Sequence, residues 1–102
     1  MNEVTIEHFL FLSAALFIIG MMGVLTRRNM LIIFMCIELM VAAVSISLAA
    51  FAWESQTLDG QIFVLFALAV AAAEAAVGLG IILALSRRGK SVDVDDLRSL
   101  RD

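Results

Sequence analysis

Two glutamates, Glu38 and Glu74, stand inside otherwise apolar stretches of the chain, each with at least seven uncharged residues on either side. An ionisable group in hydrocarbon costs about 3 kcal/mol on insertion scales. A chain that carries two of them must compensate them locally. A carboxyl accepts and releases H⁺ at a single oxygen, so the first reading of such a residue is a proton or ion pathway. The other chemistry-bearing types offer less. Cys36 is the one cysteine, which excludes an internal disulfide and a thiolate metal site made by this chain alone. It sits in an apolar run and reads as a small buried hydrophobe. His8 opens the first apolar stretch and reads as an interfacial side chain. The sequence holds no Gly-rich phosphate loop, no His/Cys ligand cluster and no Ser-His-Asp set. No catalytic, metal-binding or cofactor-binding residue is assigned, and nothing supports an independent enzyme.

The elements that carry the glutamates follow from length and composition. The chain has 102 residues, 63% of them hydrophobic, and a mean hydropathy of +1.04. An ordinary soluble domain is about 45–50% apolar. Residues 9–25 are uncharged, residues 30–53 contain Glu38 as their one charge, and residues 62–85 contain Glu74 as theirs. A helix crossing hydrocarbon needs about 20 residues, whereas a barrel strand needs about 10. The bilayer core also demands that backbone groups be satisfied within the segment. The sequence therefore predicts an all-α integral membrane protein with spans at about 6–26, 30–53 and 62–85. Residues 1–88 form one three-helix transmembrane domain, and residues 89–102 a cytoplasmic tail. The first span is not a signal peptide, because Glu3 and Glu7 precede it with no Lys or Arg.

Charge sets the orientation. Arg27, Arg28, Arg87, Arg88, Lys90, Arg98 and Arg101 all fall on one side of a three-span chain. The positive-inside rule predicts the N-terminus outside and the C-terminus in the cytoplasm. Trp53 suits an aromatic anchor at the outer interface. In the tail, Asp93, Asp95 and Asp96 precede Arg98 and Arg101, an order that suits the dipole of a short helix. That tail reads as solvated or lying on the surface, with docking onto a partner as the alternative.

Helix rise places Glu38 about 12 Å and Glu74 about 17 Å from the cytoplasmic end of their spans. The second and third spans are antiparallel neighbours, so the carboxyls are expected near mid-membrane and only a few ångströms apart in depth. Ser45 is the clear polar residue on the Glu38 face. Neither span carries Lys or Arg, so any compensating cation belongs to another chain. Ala72, Ala76 and Gly80 form a ridge roughly opposite Glu74, and small ridges permit close helix packing in membranes. Gly20 and Gly23 point to a close crossing or local unwinding of the first span.

Five stretches carry a family resemblance: Gly23-Val-Leu-Thr-Arg-Arg-Asn29, Ile37-Glu-Leu-Met40, Asp59-Gly-Gln61, Val70-Ala-Ala-Ala-Glu-Ala-Ala-Val-Gly-Leu79 and Asp95-Asp-Leu-Arg-Ser-Leu-Arg101. Together and in this order, they resemble the K subunits of NADH–quinone oxidoreductase, respiratory complex I, whose mitochondrial counterpart is the four-L subunit. The resemblance implies that Glu38 and Glu74 belong to a line of charged, hydrated groups for proton translocation along the membrane arm. It implies a coupling role for Arg27 and Arg28 in the first cytoplasmic loop. It further implies packing between a J-type subunit and an antiporter-like subunit in the bacterial inner membrane. No cofactor is expected in this subunit, since NADH, FMN, iron–sulfur clusters and quinone are bound by others, and no nucleic acid is expected as partner. Family members often carry asparagines four and seven residues after the first glutamate, where this chain has Ala42 and Ser45.

Two other readings are consistent with three apolar spans. One is the similar C-type subunit of a multisubunit sodium/proton antiporter. The other is a purely structural membrane subunit, in which the glutamates only join helices by hydrogen bonds.

Overall fold

The computed structural model describes residues 3–89 and 93–97. Three long helices account for most of them: α1 (Ile6–Thr26), α2 (Met30–Ser55) and α3 (Leu58–Arg87), followed by the single turn α4 (Val94–Leu97). All three long helices are long and apolar enough to cross a membrane. They are apolar on every side, with Phe11 82% and Phe66 69% exposed on the isolated chain. Such a surface is stable against acyl tails and unstable against water.

The sequence marks the helix ends with local chemistry. Thr5 precedes α1, and its backbone N–H donates to His8 Nδ1 at 3.0 Å, so His8 serves the start of the helix. Asn29 caps α2, its Oδ1 accepting from the N–H groups of Leu31 and Ile32 at 2.8 and 3.4 Å. At the far end of α2, Gln56 takes a left-handed conformation with φ of 53° and donates its N–H to the Ala52 carbonyl. Thr57 then caps α3 by accepting from Gly60 N–H. Only Gln56 and Thr57 separate α2 from α3, so the polar stretch 54–61 is mostly helix. Once a turn is capped, continuing the helix satisfies more backbone than a loop would.

The helices stand in a row with α2 in the middle, α1 on one of its faces and α3 on the other. The seams are built from small residues. Ser13, Gly20, Ala43, Ala50 and Ala52 are buried, with Ile82 the one large side chain among them. Small residues let backbones approach, and close packing drives association where lipid removes the hydrophobic incentive. Gly20 shows why: a Cβ there would sit 2.6 Å from Met40 Cγ and 2.8 Å from the Cys36 carbonyl. The α1 glycines thus serve a close crossing, and α1 runs through them unbroken. The same seam holds a polar clasp. Ser13 Oγ donates to the Ala43 carbonyl at 2.5 Å and lies 2.6 Å from Ser47 Oγ.

The two ends of the row differ. One end gathers Arg27, Arg28, Arg87 and Arg88 at helix termini. At the other, Phe9 and Trp53 meet edge to face, ring centroids 6.4 Å apart. Trp53 is 60% exposed, as an interfacial side chain should be.

Candidate functional site

The position of the two carboxyls follows from the α2–α3 seam. Near one end Gly60 packs on Ala52, and near the other Gly78 packs under the Phe34 ring. These two contacts define one antiparallel register. Four residues along both helices from the Phe34–Gly78 contact, Glu38 comes level with Glu74, to within about one turn. The level arrangement is closer than the depths of 12 and 17 Å expected from segment ends, because in this register Met30 is level with Ile82 and Leu85 already extends past the start of α2.

Rotation about the axes is equally informative. At about 100° per residue, four residues carry a side chain roughly 40° round the helix. Glu38 is four residues after Phe34, and Glu74 four residues before Gly78. In antiparallel helices these rotations send the carboxyls to opposite flanks of the α2–α3 plane. By this rotation the two carboxyls lie at one depth, each about 40° off the seam and on opposite sides of it.

Their surroundings within the chain are apolar. Glu38 is half-buried and Glu74 exposed. Neither makes a hydrogen bond or ion pair with any described residue. Ser45, the expected polar neighbour of Glu38, instead donates its hydroxyl to the Val41 carbonyl one turn back, at 2.9 Å. A hydroxyl in a helix finds its own i−4 carbonyl more cheaply than a distant carboxyl. The exposed flank of α3 continues on its other side: Ala72, Ala76 and Gly80 are all exposed, and a Cβ on Gly80 would meet nothing within 4 Å. Among the described residues, α3 is covered mainly along the stripe that faces α2. A carboxyl on an uncovered flank at mid-span requires water or another chain beside it, since hydrocarbon offers no hydrogen-bond partner.

The arginine pair sits on the α1–α2 connection. Both residues are exposed. Arg28 Nη1 lies 3.2 Å from Asp95 Oδ2, whereas Arg27 has no ion-pair partner among the described residues. The expected solvated or partner-bound tail is thus partly folded back on its own chain. Val94 N–H donates to the Arg28 carbonyl at 2.8 Å, and Asn29 and Asp93 form an antiparallel bridge. Lys90, Arg98 and Arg101 lie outside the described residues. Among the described residues no three His, Cys, Asp or Glu side chains gather to hold a metal ion.

Sequence reasoning missed the Ser13–Ser47 clasp and the role of Asp95. The first had a signal, since Ser13 is the one hydroxyl in an otherwise apolar stretch. The second had none, because an acidic residue in a polar tail looks like any solvated charge.

Comparison with known proteins covers essentially the whole chain. A family model described as NADH-ubiquinone/plastoquinone oxidoreductase chain 4L matches residues 8–102. The chain is 66% identical over 102 residues to NADH-quinone oxidoreductase subunit K of Thermomicrobium roseum, with 100% of each covered. It is 52% identical over 101 residues to NADH-quinone oxidoreductase subunit K 2 of Solibacter usitatus, with 99% of each covered. It is 48% identical over 101 residues to subunit K of Flavobacterium johnsoniae, covering 99% of this chain and 95% of the relative.

Proposed function

Because the chain belongs to the chain 4L family of NADH-ubiquinone/plastoquinone oxidoreductases, we propose that it is a membrane-arm subunit of a proton-pumping enzyme. In this reading Glu38 and Glu74 are stations on the proton-translocation path. The observation that supports it best is a pair of carboxyls level with each other in the span, each without a hydrogen-bond partner among the described residues. A carboxyl that only joined helices would be expected to hold a backbone or side-chain donor. These two are left available to water and to neighbouring subunits.

The chemistry is proton hopping. Each carboxyl takes H⁺ on one oxygen and releases it from either. The seam between them is lined by Val41 and Ala71, which offer no proton-carrying group. Transfer from one flank to the other therefore runs through bridging water, for which an interaxial spacing of about 8–10 Å leaves room. With the carboxyls on opposite flanks, the subunit passes protons laterally, receiving them from one neighbour and delivering them to another. J-type and antiporter-like subunits are the proposed neighbours, and a cation from one of them would lower the cost of charging Glu74. Flavin, iron–sulfur and quinone chemistry stays with other subunits. The N-terminus lies outside and the arginine-bearing end in the cytoplasm of the bacterial inner membrane, where Arg27 and Arg28 form a coupling loop.

The test is Glu74→Gln in the whole enzyme. The amide keeps size and polarity but cannot release a proton. The complex is expected to assemble normally, judged by native gel, and to lose most coupled proton pumping in sealed vesicles. Full pumping by a well-assembled variant would refute the assignment. The full-length matches to subunit K proteins favour this setting over a sodium/proton antiporter.

A further inference from the structure

We propose that residues 93–97 are a strap folded onto the chain's own first loop, and that Asp95 is the positioning residue for Arg28. Several contacts meet there. The Val94 N–H bonds to the Arg28 carbonyl at 2.8 Å, and Asn29 pairs with Asp93 across an antiparallel bridge. Asp93 Oδ1 accepts from Asp95 N–H at 2.9 Å, which fixes the turn that presents Asp95. The Asp95 carboxylate then reaches the Arg28 guanidinium at 3.2 Å. On the membrane side, Val94 joins Phe34 and Ile37 of α2 with Gly78 and Ile81 of α3 around one apolar groove.

Magnitudes divide the labour among these contacts. The Arg28 and Asp95 side chains are 77% and 56% exposed, and an exposed ion pair contributes little by itself. It cannot hold the strap alone. The backbone bond anchors the segment, and the ion pair adds to that hold while selecting one direction for an otherwise free guanidinium. Because Val94 also lines the groove at the end of the seam whose next turns carry Glu38 and Glu74, the strap brings the loop beside the α2–α3 pair. This deepens the coupling-loop reading and rests on it for its consequence in turnover, whereas the contact itself stands apart from that reading.

The experiment is cross-linking in the assembled enzyme. Asn29 and Asp93 form a pair without mutual hydrogen bonds, for which Cα atoms lie about 4.5 Å apart, inside the span a disulfide bridges, roughly 4.4–6.8 Å. Asn29→Cys combined with Asp93→Cys is expected to oxidise rapidly, and neither single variant should. Adding Asp95→Asn should slow disulfide formation several-fold, Asp95→Glu should preserve it, and Arg28→Asp with Asp95→Arg should restore it. Deuterium exchange at the Val94 amide, read with and without Asp95→Asn, makes the same comparison with the Asn29 cap intact. An assembled complex that forms no disulfide and exchanges Val94 as fast as an open chain would overturn the strap. Indifference of both measurements to Asp95→Asn would overturn the positioning role. Both are read whether or not the enzyme pumps, so a failed proton-path assignment leaves the result interpretable.

Discussion

Glu38 and Glu74 differ in environment although they share a depth. Glu38 is half-buried beside the seam, and Glu74 stands exposed on the flank of α3. If they are consecutive stations, blocking either blocks the line. Glu38→Gln is expected to lower coupled pumping by about a hundredfold, the smaller end of what a positioned proton-transfer group contributes. The double variant with Glu74→Gln should then be no worse than the more severe single, because groups acting as one unit are not additive. Multiplying losses in vesicle pumping assays would instead mean that the two groups act independently. At the same scale, Asn29→Ala removes the acceptor for two α2 amides and should cost about 1 kcal/mol. A lowered midpoint in thermal denaturation of the purified complex would register it.

Helices α2 and α3 show how much of the register rests on one glycine. Gly78 lies directly under the Phe34 ring, and this contact sets the register that brings Glu38 level with Glu74. Gly78→Leu should push the helices apart or out of register, with an overpacking cost of about 1–3 kcal/mol. Gly80, two residues on, has nothing of this chain within 4 Å of its missing Cβ. Gly80→Leu should therefore leave the three-helix fold intact and hinder assembly if another subunit covers the ridge. Thermal midpoints of both variants, beside the yield of assembled complex on native gels, would separate the two effects. The ridge of Ala72, Ala76 and Gly80 is legible in the sequence, but its being turned away from α2 is not. A helix that is apolar all round gives periodicity nothing to distinguish a lipid face from a protein face.

The whole molecule is a row of three helices with one arginine-bearing end and one aromatic end. Such a thin row leaves most of α3 uncovered, which suits a subunit held between neighbours. Two expectations belong to this scale. A cysteine introduced at Glu3 should react with a membrane-impermeant thiol reagent from outside intact cells, and one at Arg87 only after the membrane is opened; the reverse pattern would invert the proposed orientation. Arg27→Ala with Arg28→Ala should lower turnover while insertion, measured as subunit recovered in washed membranes, stays near normal. Unaltered turnover would remove the coupling role from the loop.

Length and composition were enough to specify three spans and to single out Glu38 and Glu74, because hydrocarbon makes every buried charge and every unpaired backbone group expensive, whereas Arg27 and Arg28 were singled out by the family resemblance. Family membership was legible for a related reason, since short motifs in a fixed order survive across nearly the full chain. Register, rotation and tail were decided only in three dimensions. The Phe34–Gly78 and Ala52–Gly60 contacts bring the carboxyls level and turn them to opposite flanks. The Ser45 hydroxyl closes on its own backbone rather than on Glu38, and Asp95 finds Arg28 across more than sixty residues of sequence. Each of these depends on which atoms meet between helices. A one-dimensional pattern records how apolar a face is, and shape complementarity chooses its neighbour.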